Sequence, residues 1–234
     1  MIPLSPRLLT CAGMVQGRTV CDIGTDHAYL PVWLIMNGRA DRVIATDVRE
    51  GPLRAAKETL KRFGVSNRIA LCLSDGFERI DPSGLTDAVI AGMGGETIRD
   101  ILAAPAAAFL QNGVNLILQP MTKAEVLRIW LAENGFAVTK ETAVKDSRVY
   151  TVMQAHGTGE RHPLSAAESY IGKLQRSDPL TALYASGVLE RLGSKAAGLA
   201  ASGSTKEAAE IRRQITEIQN LLNINAEKEE PESL

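Results

Sequence analysis

Five short and nearly continuous apolar runs, separated by stretches with helical periodicity, constrain the fold of this chain most strongly. The runs are Arg18–Gly24, Arg42–Val48, Arg68–Ser74, Asp87–Ala91 and Val114–Gln119. Unbroken apolar runs of this length are typical of strands that are buried on both faces of a parallel sheet. Pro52–Phe63 repeats its apolar residues at helical spacing and begins with a proline suited to a first helical turn. Strands alternating with helices predict an α/β doubly wound fold.

The pattern changes after the fifth run. Ala137–Thr142 and Arg148–Ala155 are both rich in strand-forming residues, and only Ala143–Ser147 separates them. This spacing predicts an antiparallel hairpin at one edge of the sheet. A mostly parallel sheet with an antiparallel edge hairpin is the layout of class I (Rossmann-like) methyltransferases, whereas dehydrogenase Rossmann domains lack the reversed strand.

The last third of the chain has no strand pattern. His156–Pro163 is polar and contains glycine and proline, as linkers do. Helical patterns at Leu164–Leu192 and Thr205–Leu222, split by the Gly- and Ser-rich Gly193–Ser204, predict an antiparallel, coiled-coil-like helical pair. Ala226–Leu234 is acidic and predicts a disordered tail. We therefore expect two units, a methyltransferase-like domain at 1–157 and a helical domain with an acidic tail at 158–234.

Composition excludes several classes of function. A net charge of −1 and a pI near 6.3 argue against a strongly basic nucleic-acid binder. The three cysteines, Cys11, Cys21 and Cys72, are scattered and share no ligand spacing with a histidine, so we expect reduced thiols and no metal site. A leader pattern and an apolar run long enough for a membrane span are both missing. The sequence therefore predicts a cytoplasmic protein without membrane association.

Side chains suited to an adenosine ligand follow the ends of the predicted strands. Gly24 would let the backbone approach a ligand at the first strand end, where doubly wound sheets bind nucleotides. Asp47 could accept hydrogen bonds from ribose hydroxyls, and Asp75 could accept one from an adenine amino group. Phe77 fits either a ring contact or the core. The predicted cofactor-binding residues are Asp22, Gly24, Thr25, Asp47, Val48, Asp75, Gly76, Phe77, Gly92 and Met93.

Asp26 distinguishes this site from a dinucleotide site. The second and third glycines of the dinucleotide motif are missing after Gly24, where Asp26 and Ala28 stand instead. Asp26 would repel a pyrophosphate at close range but would suit the positive charges of S-adenosylmethionine. The residues therefore favour S-adenosyl-L-methionine as the cofactor, with an NAD(P)-dependent oxidoreductase as the alternative. Asp26 and His27 are the predicted catalytic residues.

A glycine-rich segment after the fourth strand is suited to a flat substrate. Three of the four residues Gly92–Gly95 are glycine, so a base could lie against the main chain. An aromatic residue for base stacking is missing from this segment, and Tyr29, Met93 and Pro120 are the candidates to replace it. The predicted substrate-binding residues are Arg7, Tyr29, Gly94, Gly95 and Pro120, and the further cations considered for RNA are Lys123, Arg128, Arg212 and Arg213.

Four sequence strings together resemble one family. They are LSPRL at Leu4–Leu8, DIGTDHAYLP at Asp22–Pro31, IAGMGGETI at Ile90–Ile98 and LILQP at Leu116–Pro120. The chain resembles the bacterial tRNA (adenine-22, N1)-methyltransferases over roughly residues 4–155 and through the helical pair. The resemblance implies methylation of N1 of an adenine in the D-arm region of tRNA, and it implies that Asp26 is the residue most needed for activity.

Methylation at N1 would need little proton chemistry, because N1 carries an in-plane lone pair. Asp26 would then align the adenine and stabilise the moving charge, and His27 could help to remove a proton from the product. A methyltransferase for a small molecule, with the helical pair as a dimerisation element, is the alternative substrate class. A third interpretation is a non-catalytic methyltransferase-like scaffold. We expect tRNA as the partner and a monomer or weak dimer.

Overall fold

The computed structural model describes residues 2–223, so the predicted acidic tail at Ala226–Leu234 lies outside the described residues. Its sheet has seven strands in the order β3-β2-β1-β4-β5-β7-β6. The first five strands run parallel, and β7 is antiparallel to both β5 and β6. The strands are β1 Thr19–Ile23, β2 Arg42–Asp47, β3 Ile69–Leu73, β4 Asp87–Gly94, β5 Asn115–Thr122, β6 Phe136–Lys145 and β7 Val149–Gly157.

Helices cover both faces of this sheet. The first three helices pack with one set of strand residues, which includes Val20 and Val89, and the next three pack with the alternate set, which includes Cys21 and Ile90. Strands buried on both faces explain why the predicted runs are almost uninterrupted in apolar residues. The helices are α1 Pro6–Met14, α2 Tyr29–Met36, α3 Glu50–Phe63, α4 Gly95–Ala103, α5 Ala106–Asn112 and α6 Ala124–Glu133, with a 3-10 turn at Pro82–Gly84.

The structure confirms the predicted sheet, including its antiparallel edge. Each of the five apolar runs contains a strand, and β6 and β7 form a hairpin whose pairing closes at Lys145 and Val149. Because β6 runs in the same direction as β5, the turn at 146–148 lies at the carboxyl edge of the sheet. The hairpin thus brings Lys145 to the edge where a doubly wound sheet binds its ligands.

The helical region differs from the prediction in its boundaries. Its helices are α7 Ala166–Ile171, α8 Pro179–Ala201 and α9 Thr205–Asn223. The predicted helix Leu164–Leu192 is wrong because Gly172, at φ +66°, ends α7 and Asp178 caps a new helix. The predicted break at Gly193–Ser204 is also wrong for most of its length, since α8 continues to Ala201 and packs against α9. Coiled-coil packing of this pair stays a prediction.

A buried ion pair joins the sheet domain to the helical region. Arg128 of α6 and Glu141 of β6 contact each other at 2.6 Å, with side-chain exposures of 2% and 0%. The Arg128 guanidinium also donates to the carbonyl oxygens of Ser169 at 2.6 Å and Tyr170 at 3.0 Å, both on α7. The Glu141 carboxylate accepts from the backbone N–H of Lys173 at 2.9 Å. We call these five residues the Arg128 joint. The hypothesis that Arg128 faces RNA is therefore wrong.

Two further findings concern residues 2–223 as a whole. Within this range, helices that combine the length and the apolar character needed to cross a membrane are absent. Groups of three or more His, Cys, Asp or Glu side chains arranged to hold a metal ion are likewise absent from it.

The Arg128 joint predicts a large difference between two arginine substitutions. Arg128→Ala leaves the Glu141 carboxylate buried without its cation, so the free energy of unfolding should fall by about 3–5 kcal/mol. Arg213, whose side chain is 68% exposed in a pair with Glu210, provides the matched control, and Arg213→Ala should leave the unfolding midpoint unchanged. Urea unfolding followed by circular dichroism measures both effects. Equal losses in the two variants would contradict the role of the joint.

Candidate active site

The loop after β1 is held against β2 at the carboxyl edge of the sheet. Gly24 has a φ of +77°, a backbone conformation that favours glycine. The N–H groups of Gly24 and Thr25 both donate to the carbonyl oxygen of Thr46, at 2.9 and 2.7 Å. A side chain at position 24 would overlap the terminal methyl group of Met93 on β4. The glycine therefore allows the first and fourth strand ends to meet at this point.

Asp26 and His27 lie at an exposed, strained corner of the same loop. His27 and Ala28 have φ values of +56° and +54°, and such left-handed conformations cost non-glycine residues roughly 1–3 kcal/mol each. The strained turn leaves Asp26 79% exposed and His27 46% exposed, with His27 Nε2 3.5 Å from Asp26 Oδ1. The His27 ring stacks on Tyr29 at 5.3 Å between centroids. The loop thus presents a carboxylate beside an accessible aromatic pair.

Asp22, by contrast, is buried beneath this loop. Asp22 is 6% exposed, and this burial raises the pKa of its carboxyl to about 6, while the neighbouring Thr25 hydroxyl partly opposes the shift. The hydroxyl of Thr46 is also buried, and it has no hydrogen-bond partner among residues 2–223. Buried polar groups of this kind would gain from a cationic or hydrogen-bonding ligand.

Asp47, at the end of β2, has one carboxylate oxygen engaged by the backbone and one available to a ligand. Asp47 is 7% exposed, and its Oδ1 accepts from the backbone N–H of Arg49 at 2.8 Å. Within the described residues, Asp47 Oδ2 has no donor, so it remains available to a ligand hydroxyl. Val48 is 61% exposed beside it and presents an apolar surface. A carboxylate acceptor next to an exposed apolar side chain is suited to a ribose and its attached base.

A cavity of about 520 Å³ lies between the end of β3 and α4. Exposed Asp75 and buried Gly76 line it, and Gly76 has a φ of +51°. Phe77 is 6% exposed and meets Phe109 edge-on at 4.9 Å between centroids, so it belongs to the core and also lines the cavity. Phe77 is therefore a core residue at the wall of the cavity, and ligand contact by Phe77 stays a prediction.

The end of β4 is irregular where it meets β5. Gly92 has a φ of +83°, and the strand register shifts around Met93, which pairs with Pro120, while Gly94 pairs with Thr122. Irregular pairing of this kind re-aims the backbone at the rim of a sheet. Gly92, Met93, Gly94 and Pro120 are thus brought together with the β1 loop at one edge of the sheet.

Gly95, the first residue of α4, lies close to the backbone of Lys123. A side chain at position 95 would overlap the carbonyl oxygen of Lys123. The ammonium group of Lys123, which follows β5, lies 2.5 Å from the carboxylate of Glu96, which follows β4. This ion pair links the ends of the two strands at the protein surface. The role of this glycine is close packing, and a direct contact between Gly95 and substrate stays a prediction.

Arg7 is placed at the site but is already engaged by protein groups. Its Nε donates to Asp146 at 2.8 Å, and its Nη1 donates to the side-chain oxygen of Gln119 at 2.7 Å. The guanidinium carbon lies 5.3 Å from the Tyr150 ring centroid. The same Gln119 oxygen accepts from the backbone N–H of Gly92 at 3.1 Å. Arg7 therefore supports the glycine-rich segment through Gln119.

Gln119 is the residue that the sequence analysis missed. It is fully buried, and its side-chain nitrogen donates to the carbonyl oxygen of Pro120 at 3.0 Å. One amide side chain thus links α1 to the ends of β4 and β5. The signal in the sequence is a polar residue, Gln119, at the end of an otherwise apolar run. A buried amide group needs hydrogen-bond partners, so such a residue is expected to link neighbouring elements.

A family model described as a methyltransferase domain matches residues 4–153. The fold and the strand-end residues therefore define a methyltransferase domain. The tRNA (adenine(22)-N(1))-methyltransferase of Bacillus subtilis is 37% identical over 163 residues, which are 68% of this chain and 67% of that protein. This chain belongs to the tRNA (adenine(22)-N(1))-methyltransferase family.

Solved structures extend the similarity to the helical region. The M. capricolum protein TrmK, in complex with the natural cofactor product S-adenosyl-homocysteine, is 25% identical with a TM-score of 0.79, over 94% of this chain and 98% of that chain. The Streptococcus pneumoniae protein Sp1610, in complex with S-adenosyl-L-methionine, is 27% identical with a TM-score of 0.77, over 94% of this chain and all of that chain.

The raised pKa of Asp22 predicts a stability gain on removing its charge. Between about pH 4 and 6 the folded carboxyl holds its proton more tightly than the unfolded one, so stability falls as the pH rises through this window. A shift from 3.8 to about 6 corresponds to about 3 kcal/mol. Asp22→Asn should therefore be more stable than the wild type by up to that amount at pH 8 and equally stable near pH 4.

Chemical unfolding at the two pH values tests this sign. Asp41→Asn is the control, because its neighbour Arg18 lowers the pKa of Asp41 below its ordinary value of 3.8, so the loss of that carboxylate should cost stability at both pH values. An Asp22→Asn protein that is less stable than the wild type at pH 8 would show that the buried charge is compensated within the fold.

Proposed function

We propose that this chain transfers a methyl group from S-adenosyl-L-methionine to N1 of adenine 22 in the D-arm region of tRNA. The observation that carries the proposal is the placement of buried Asp22 and Asp47 and exposed Asp26 around Gly24 at one sheet edge. Membership of the tRNA (adenine(22)-N(1))-methyltransferase family supports both the reaction and the substrate. Because tRNA is the proposed substrate, we also propose that the reaction takes place in the cytoplasm.

The described residues fit the cofactor. Asp22 is a buried carboxylate that pays an electrostatic penalty when charged, and a bound cation would relieve it. Asp47 has a free oxygen for the ribose hydroxyls, and Gly24 opens the backbone beside them. Asp75 and Gly76 line the neighbouring cavity, which suits the adenine ring. S-adenosyl-L-methionine, when bound, supplies a methyl group activated by a positively charged sulfur.

Asp26 and its neighbours are suited to hold the target base. N1 lies on the Watson–Crick edge, so adenine 22 must leave its stack or its tertiary contacts before it can react. The exposed Tyr29 ring, stacked with His27, offers an aromatic face for the released base. Asp26 can accept from the adenine amino group and stabilise positive charge as it moves onto the purine. His27 is placed to take a proton from the cationic product.

The segment Gly92–Gly95 would complete the base site. Its backbone is held by Gln119 through the Gly92 N–H, and its register against β5 is fixed at Pro120. A preorganised backbone of this kind positions N1 in line with the methyl group without reorganisation during the reaction. In this proposal, residues 1–157 carry out the chemistry and residues 158–234 engage the tRNA, as a monomer or weak dimer.

Asp26→Asn is the sharpest test of this mechanism. Neutralising Asp26 should lower kcat for tRNA methylation by about a hundredfold, the scale of one lost electrostatic contact in an active site. The dissociation constant of S-adenosyl-L-methionine should change by less than about threefold, because the proposal assigns the 79% exposed Asp26 to the base and assigns Asp22 and Asp47 to the cofactor. The assay follows labelled methyl transfer to a tRNA transcript, with Asp41→Asn as a control far from the site.

The substrate position is tested with a second transcript. A tRNA that carries guanine at position 22 should receive no label, and the product of the adenine transcript should stop reverse transcription at position 22, because an N1 methyl group blocks base pairing. Label in small molecules of a metabolite extract, and none in tRNA, would support the alternative small-molecule methyltransferase. An unchanged kcat in Asp26→Asn would remove Asp26 from the reaction.

A further inference from the structure

A groove of about 760 Å³ lies where the sheet domain meets α8. Its walls are the β5–α6 corner, the turn between β6 and β7, and the exposed side of α8. We call it the interdomain groove, and it is lined by Pro120, Lys123, Lys145, Arg148, Leu183 and Arg191, among others. None of the residues proposed to bind the cofactor lines it, whereas Pro120, one of the proposed substrate-binding residues, does.

The interdomain groove opens next to the proposed base site. Pro120 and Thr122 line the groove, and on the adjacent strand they pair with Met93 and Gly94 of the glycine-rich segment. Nucleotides attached to a base held at Gly94 must leave through a neighbouring opening. The strand pairing places this groove at that opening.

Cations dominate the groove. It is lined by four basic side chains, Lys123, Lys145, Arg148 and Arg191, and by two acidic ones, Glu125 and Glu190. Two of these cations have carboxylate partners, since Lys123 pairs with Glu96 at 2.5 Å and Arg191 pairs with Glu125 at 3.4 Å.

The other two cations, both at the hairpin turn, remain free to bind an anion. Among residues 2–223, Lys145 has no side-chain partner, and the neighbour of Arg148 is the Tyr150 hydroxyl, whose pKa Arg148 helps to lower. Neither side chain contacts a carboxylate in this part of the chain. A polyanion is the ligand that gains most from two such cations.

The floor of the groove is held in place by hydrogen bonds to the Arg128 joint. Thr151 and Tyr184 line the groove. Thr151 donates to the Glu141 carboxylate at 2.5 Å, and the Arg128 guanidinium donates to the Tyr184 hydroxyl at 3.3 Å. The buried ion pair thus fixes α8 opposite the hairpin turn and sets the width of the groove before any ligand binds.

We propose that the interdomain groove binds the sugar-phosphate backbone flanking the target adenosine, with Lys145 and Arg148 as its phosphate-binding residues. The inference rests on the proposed function and adds the path by which the RNA reaches the site. RNA is favoured over an acidic protein because the groove is continuous with the base site, so its ligand is covalently attached to the reacting nucleotide.

Removal of the two free cations tests the proposal. In Lys145→Ala/Arg148→Ala, the KM for the tRNA transcript should rise about tenfold, while kcat at saturating tRNA and the dissociation constant of S-adenosyl-L-methionine stay within twofold. The slope of log KM against log salt concentration should fall by about 1.4–1.8, since each lost phosphate contact removes roughly 0.7–0.9. Lys145→Arg/Arg148→Lys should restore both quantities, because it keeps both charges.

Arg42→Ala/Lys57→Ala is the matched control. It removes two exposed cations that lie at the amino end of β2 and on α3, so it should leave KM and its salt slope unchanged. A wild-type KM and salt slope in Lys145→Ala/Arg148→Ala would overturn the groove assignment, as would an equal effect in the control. Failure of the proposed function is a separate result, because then the wild-type protein itself would not methylate the adenine-22 transcript.

Discussion

The parallel pairing of β1 with β2 on one side and β4 on the other is the constraint on which the rest of the structure depends. Parallel strands all end at the same edge, and the chain order reverses at β1, which opens a crevice there. Residues far apart in sequence, such as Gly24, Asp47 and Gly92, meet at this edge because their strands end there. Burial on both faces fixes the strand register, so the site is held by the core.

The antiparallel hairpin adds a second consequence to that constraint. Because β7 is antiparallel to both β5 and β6, β6 runs in the same direction as β5. The turn between β6 and β7 therefore lies at the carboxyl edge of the sheet, where Asp146 forms an ion pair with Arg7. Arg7 in turn supports Gln119 and the Gly92 backbone. On the outer side of the same hairpin, Glu141 anchors the helical region through Arg128. One hairpin therefore connects the glycine-rich segment Gly92–Gly95 to α8, which forms the far wall of the interdomain groove.

Local signals explain what the sequence predicts well. Apolar runs followed by Asp or Gly predict both the strands and the strand-end residues, because burial on two faces and freedom at the turn leave distinct local patterns. The roles of Gln119, Arg128 and Glu141 depend on partners far away in the chain and leave no local pattern. In the sequence, Arg128 cannot be distinguished from a surface cation. The break at Gly172 likewise depends on distant residues, because a side chain at position 172 would overlap Glu141 and Arg128.

The burial of Arg128 also changes how a nearly neutral chain can bind a polyanion. A net charge of −1 gives no long-range attraction to RNA, so affinity must come from a few well-placed contacts. The fold uses Arg7 and Arg128 internally, where they fix the geometry of the site and of the helical region. Lys145 and Arg148 remain beside the site, where that fixed geometry holds them opposite α8. In the proposed role of the groove, two cations without a carboxylate partner among residues 2–223 select RNA by position, which a large but diffuse positive charge would not do.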